Sequence, residues 1–206
     1  VRGRRSSENR QLSAARAVST HLIAGLGNPG PKYARNRHNV GFMTVDVLAN
    51  RWGAPASREK FKGQYSKVRV GEHDVVLLKP LTYMNLSGES VQAAMQFFKV
   101  PLKQVLCVHD ELDLDFGVVR LKAGGGTAGH NGLRSMVQHC GGPDFLRCRI
   151  GIGRPPRGRT ESWVLSDFGS LERAELPDVL DLAADLVETT VREGIREAMN
   201  RHHGRS

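Results

Sequence analysis

Cysteine is scarce in this chain of 206 residues: Cys107, Cys140 and Cys148 form no CxxC pair, and any pairing scheme leaves one over. That suits a reducing cytosol better than a disulfide framework. Cys107 and Cys148 sit in apolar runs, so both are expected to pack in the core. No run approaches the roughly 18 unbroken apolar residues that a membrane span requires. An apolar segment near the start is missing too, which argues against secretion, so a cytoplasmic protein is expected. Two catalytic signatures are also absent. No GxSxG setting offers a serine nucleophile, and no His-x-x-x-His spacing offers a hydrolytic zinc site.

Positive charge, by contrast, is in excess. Lys and Arg number 30 against 21 Asp and Glu, a net charge of +9. Such an excess favours polyanionic partners, because each phosphate neutralised releases condensed counterions. A solubility charge without a partner is the plain alternative. Part of the excess is uninformative, since Arg2, Arg4, Arg5, Arg10 and Arg16 crowd the start. Residues 1–19 hold one acidic group, Glu8, and few large apolar ones, so a flexible basic extension is expected. Its composition also suits an organellar transit peptide, which would move the chain to an organelle.

From residue 20 the pattern is that of one globular domain reaching residue 206. His21 to Leu26 reads as a buried strand and Val40 to Trp52 as a helix, with Val40, Met43, Thr44, Val47 and Leu48 on one face. Gln64 to Val70 and Asp74 to Leu78 read as a hairpin turning at Gly71-Glu72. Ser87 to Phe98 is a second helix, with Val91, Ala94, Met95 and Phe98 on its apolar face. Strands follow at Val105 to Val108, Val118 to Leu121 and Phe145 to Ile152, with a helix around Leu133 to Val137. One amphipathic helix is expected from Leu176 to about His202, its face made by Val179, Leu182, Ala183, Leu186, Val187, Val191 and Ile195. Strands alternating with helices predict an α/β layer, partly parallel and covered on both faces.

Gly25-Leu26-Gly27-Asn28-Pro29-Gly30 satisfies the dinucleotide fingerprint GxGxxG directly after a strand. Its context fails, because Pro29 and Pro31 bracket the last glycine and Lys32 to Asn39 intervene before the helix. The acidic residue that should hold a ribose is missing as well. Polar side chains gather instead in four loops: Asn28, Tyr33 and His38; Lys79 to Asn85; His109 to Asp113; and Gly124 to Gly132. Loops beyond the carboxyl ends of parallel strands line the ligand crevice of α/β sheets, so Asn28, His38, Asn85, Asp110 and Asn131 are placed in one cleft. A His paired with an Asp suffices for general-base hydrolysis, the carboxylate fixing the tautomer and stabilising the imidazolium. Asparagine amides can orient water or donate to an oxyanion without changing charge. A lone histidine is more often structural, and for Glu111 and Asp113 a solvated acidic turn is preferred to a catalytic role.

Together these blocks resemble the bacterial-type peptidyl-tRNA hydrolases. The likeness runs from about residue 21 to the final helix, through Gly25 to Gly30 with Tyr33 and Arg37 to Gly41, Lys79-Pro80 to Gly88, His109 to Asp113 with Gly124 to Leu133, and Arg149 to Pro155. The resemblance implies one α/β domain with a mixed, largely parallel sheet flanked by helices on both faces. It implies hydrolysis of the ester between peptide and tRNA with no metal or other cofactor. His38 would be the base, Asp110 its partner, and Asn28 would position His38 and the substrate. Met84, Asn85 and Asn131 would hold the peptide or the water, and Tyr33 would meet the tRNA 3′ end. Lys122 and Arg149 would clamp the 5′ phosphate, with Arg120, Arg134 and Arg147 extending a basic track along the acceptor stem. Gly141 to Asp144 would form a mobile rim beside the cleft. A monomer without a stable protein partner is expected. One branch of the family acts in intron splicing, so a non-catalytic RNA-binding protein is the rival; a small-molecule esterase would leave the basic track unexplained.

Overall fold

The structure is a computed structural model that describes residues 19–155, 157 and 159–203. The expected basic extension, 1–19, lies outside these residues apart from Ser19. One seven-stranded sheet organises the fold, in the order β2-β3-β4-β1-β5-β7-β6. Its strands are β1 (Thr20–Gly25), β2 (Arg58–Lys60), β3 (Gly63–Val70), β4 (His73–Pro80), β5 (Val105–Glu111), β6 (Val119–Ala123) and β7 (Leu146–Gly151). The central four, β4, β1, β5 and β7, are parallel, whereas β3 and β6 are antiparallel to their inner neighbours. The mixed, largely parallel sheet expected from the sequence is therefore present.

Alternation along the central strands gives each face its own core, as strands buried on both sides require. Ile23, Leu77, Leu106 and Val108 face a layer built by α1 (Val40–Arg51) and α5 (Ser170–Glu193). Leu22, Ala24, Val76, Leu78 and Cys107 face the other layer, built by α2 (Ser87–Phe98) and α3 (Asn131–His139). A short helix, α4 (Thr160–Val164), and the last, α6 (Ile195–His203), complete the described α-helices. No described helix is long and apolar enough to cross a membrane. All three cysteines are free and buried.

Several sequence expectations shift in detail. Val45 is more buried than Met43 or Val47, so the inner face of α1 is rotated slightly. Leu182, expected inside, is 37% exposed. The single C-terminal helix begins at Ser170 and breaks at Gly194, whose φ of +90° ends the α-helical run. Gly141 to Asp144, expected beside the cleft, precede β7 and so lie at the amino-terminal end of the parallel strands, opposite the cleft.

The glycine motif has a packing role. A Cβ on Gly25 would stand 2.2 Å from the Gly41 carbonyl oxygen, and one on Gly27 2.8 Å from the Phe42 ring. Gly41, in the first turn of α1, lies equally close in the other direction: its Cβ would meet the oxygen of Val108 at 2.4 Å and the nitrogen of Leu26 at 2.5 Å. These glycines let the start of α1 rest directly on β1 and β5, which brings the preceding turn, with His38, over the carboxyl ends of the strands. Gly41→Ala is therefore expected to lower stability by about 2–3 kcal/mol through overpacking against backbone, read as a drop in the denaturation midpoint. A midpoint equal to that of the unaltered chain would remove this close approach from the account.

Candidate active site

Asp110 sits near the carboxyl end of β5 and is 2% exposed. The sequence reading put it in a loop, but the strand runs on to Glu111, so the peptide ladder holds its backbone. One carboxylate oxygen, Oδ1, lies 2.8 Å from Nδ1 of His38 and 3.0 Å from Nε2 of His130. Burial opposes ionisation of Asp110, yet the two imidazoles more than offset it and hold its pKa far below the usual carboxylate range. An ionised carboxylate only accepts, so both ring nitrogens donate to it.

His130 has no freedom in this arrangement. It is the N-cap of α3, its Nδ1 accepting from the backbone N–H groups of Gly132 at 3.1 Å and Leu133 at 3.3 Å. An accepting Nδ1 carries no proton, so the proton sits on Nε2 and points at Asp110. His38 donates from Nδ1, which leaves Nε2 as the ring's available base. Burial lowers its proton affinity, but the charge of Asp110 and the hydrogen bond to it prevail, and its pKa is raised above 6.5. The third ring, His109, donates to the Asp110 carbonyl oxygen at 2.8 Å, and burial, aided by His130, pushes its pKa down to about 3.

His38, Asp110 and His130 have the spacing of a metal-binding trio. The hydrogen-bond pattern argues against that use. His130 already spends Nδ1 on the helix cap, and its Nε2 and His38 Nδ1 each hold a proton on Asp110. A cation there would have to displace both.

Asn28 is set by its neighbours. Its N–H and C=O pair with the Asn39 side chain, both at 2.9 Å, and its Oδ1 accepts from Met84 N–H at 2.8 Å. That donor fixes the amide orientation and leaves the NH₂ group as the free end. Asn28, His38, Met84, Asn85, Asp110 and Asn131 all line one cleft of about 810 Å³, Met84 joining the five that the loops predict there. Asn85 and Asn131 are exposed, and Asn131 Oδ1 accepts from Arg134 at 2.5 Å. The far wall is made by Thr160, Glu161, Val164 and Leu165 on and after α4, which the sequence reading missed. It also assigned no part to His130, although His130-Asn131-Gly132 carried a legible signal, a side-chain acceptor directly before a helical run.

Tyr33, Lys122 and Arg149 stand outside the cleft lining. Lys122 pairs across β6 and β7 with Arg147, and Arg120 with Arg149, so alternation puts all four cations on one sheet face. Their fates differ. Arg147 is buried, donating to the carbonyl oxygens of Gly125 and Gly126 and lying 4.7 Å from the Phe145 ring, so it braces the glycine loop and leaves the expected basic track. Arg149 is half-buried, held through Nε by Glu111 at 3.0 Å, and Lys122 is exposed. Glu111 is consequently no solvated acid, being 8% exposed.

The family model for peptidyl-tRNA hydrolase matches residues 22–206. The chain belongs to the peptidyl-tRNA hydrolase family. Similar relatives include the peptidyl-tRNA hydrolase of Sorangium cellulosum, 53% identical over 87% of this chain and 82% of that one. Another is that of Geobacter sulfurreducens, 47% identical over 91% of this chain and 97% of that one. Among solved structures, peptidyl-tRNA hydrolase from Acinetobacter baumannii superposes with a TM-score of 0.83 at 44% identity, covering 89% of this chain and 94% of that one.

A titration tests the electrostatics. The His38 imidazole, followed by NMR, should titrate above pH 6.5, and in Asp110→Asn it should fall, because burial then acts without the opposing charge. The sign for stability follows. The raised His38 value contributes stability in full below about pH 6.5, lost as pH climbs through the folded value. Equal titration in both proteins would break the assigned contact.

Proposed function

We propose that this chain hydrolyses the ester joining a peptide to its tRNA by His38-assisted attack of water. The observation that carries the reading is one buried carboxylate oxygen shared by two imidazoles at the floor of a cleft, in a chain of this family. Nε2 of His38 removes a proton from water as its oxygen forms a bond to the ester carbonyl carbon. Asp110 stabilises the imidazolium, which returns the proton to the departing ribose oxygen as the ester C–O bond breaks. The amide donors of Asn28, Asn85 and Asn131 suit the developing oxyanion or the peptide backbone, with Met84 as the apolar wall. Attack through a thiol is disfavoured, since burial pushes Cys140 and Cys148 up to about 12 and Cys107 higher still.

The substrate side of the proposal is electrostatic. Lys122, exposed, and Arg149, half-buried, lie on one sheet face and are the pair assigned to a tRNA phosphate, with Tyr33 assigned to the 3′ end. Arg149, already fixed through Nε, retains its two terminal nitrogens for a fork on phosphate.

Release of free tRNA from an N-blocked aminoacyl-tRNA, with EDTA present, tests the chemistry. His38→Ala should abolish release while tRNA affinity is retained, and Asp110→Ala should slow it by at least about a hundredfold. Unchanged turnover in His38→Ala would sink the mechanism. Tight tRNA binding without release by the unaltered protein would favour a purely RNA-binding role. For Lys122→Ala with Arg149→Ala, KM should rise and its dependence on salt flatten, since fewer counterions are released. A KM and salt slope equal to those of the unaltered protein would remove the phosphate clamp.

A further inference from the structure

The residue beside the proposed base is a buried arginine with an unusual load. Arg37 is 3% exposed, and its guanidinium reaches several groups of one distant segment. Nη1 donates to Ser166 Oγ at 2.6 Å and to the Asp167 carbonyl oxygen at 2.7 Å. Nη2 donates to Glu172 Oε2 at 2.5 Å, and Cζ lies over the Trp163 ring, 3.7 Å from its centre. The backbone joins in, Arg37 N–H donating to the Ser166 carbonyl oxygen at 3.0 Å and the Asn36 side chain to Asp167 at 2.8 Å. That segment, 163–172, includes the end of α4, whose Val164, with the following Leu165, lines the cleft.

We propose that Arg37 is a positioning residue for the reaction, fastening the turn that carries His38 to the α4–α5 connection so that one group sets both the base and the far wall. The proposal rests on the hydrolase reading. A buried cation is costly to desolvate, and stability alone is served as well by an apolar residue of similar volume. What the guanidinium adds is direction: a planar fork on two acceptors with a ring against its face admits one placement of the turn. His38 Nδ1 must meet Asp110 Oδ1 while Nε2 faces the cleft, and a small rotation of the turn would lose one or the other.

Arg37→Lys is the discriminating variant, because it keeps the charge beside Glu172 and discards the fork and the stacking. Melting temperature, tRNA affinity and the single-turnover rate of ester cleavage are measured together. We expect cooperative melting, tRNA affinity within about twofold, and a cleavage rate lowered at least tenfold, so that kcat falls while KM holds. A rate equal to that of the unaltered protein, or a loss explained by the unfolded fraction, overturns the proposal. If Arg37→Lys does not fold, Trp163→Phe and Ser166→Ala make smaller cuts at the same guanidinium. A slower rate in either folded variant supports the role, and unchanged rates in both overturn it. The unaltered protein separates the two ideas: no release by it sinks the hydrolase reading together with this one, whereas normal release with an indifferent Arg37→Lys sinks the positioning role alone.

Discussion

One carboxylate oxygen, Oδ1 of Asp110, receives two imidazole N–H groups at 2.8 and 3.0 Å, and much of the cleft is arranged to make that pairing obligatory. A buried carboxylate without partners is strongly unfavourable, and removing one partner of such a set leaves an uncompensated charge. The two donors come from far apart in the chain. His38 lies in the turn before α1, and His130 caps α3 from the opposite layer. A single ionised atom on β5 thereby ties together the layers on both faces of the sheet. His130 is the more constrained partner, since its second nitrogen is spent on the helix cap, so its proton can face only Asp110. His38 keeps one nitrogen unspent, which is what a base requires.

Much of this was legible from residue order. The strand positions, the helix Ser87 to Phe98 and the two-sided burial all follow from apolar periodicity, which local sequence carries directly. So did the gathering of Asn28, His38, Asn85, Asp110 and Asn131, since loops at the carboxyl ends of parallel strands converge. Other features have no local signature. β2 is three exposed residues, Arg58–Lys60, with no apolar side chain to mark it, and it exists because β3 offers a pairing edge. α4 is one short turn held by contacts made elsewhere. Polar residues usually end strands, which marks Asp110 as a loop residue, yet here two imidazoles satisfy the charge and the strand continues. The roles of His130 and Arg37 depend on partners 20 and more than 120 positions away, which periodicity cannot register.

The glycine motif shows how one pattern serves two physical ends. In a dinucleotide site the glycines bring backbone N–H groups to a pyrophosphate at a helix N-terminus. Here the space a Cβ would need at Gly25 and Gly27 is filled by Gly41 and Phe42 of α1. The close approach is to protein, and its result is a helix start pressed onto the strand ends. The prolines at positions 29 and 31 were the sequence sign of the difference, because they delay the helix until residue 40 and leave a polar turn in the place a phosphate would take.

Charge offers the parallel lesson. A net +9 invites a polyanion, but the total does not say which cations are available to one. Arg147 and Arg149 lie two residues apart on the same sheet face, with equal charge. Arg147 is closed under the glycine loop with its donors on backbone carbonyls, and Arg37 is closed against Trp163 and Glu172. Such groups hold the scaffold and release no counterions when an RNA arrives. Lys122 and Arg149 share that face but not that fate, Lys122 being exposed and Arg149 half-buried and fixed through Nε alone. Burial and hydrogen-bond partners, which the sum of charges omits, decide whether a cation belongs to the fold or to its partner.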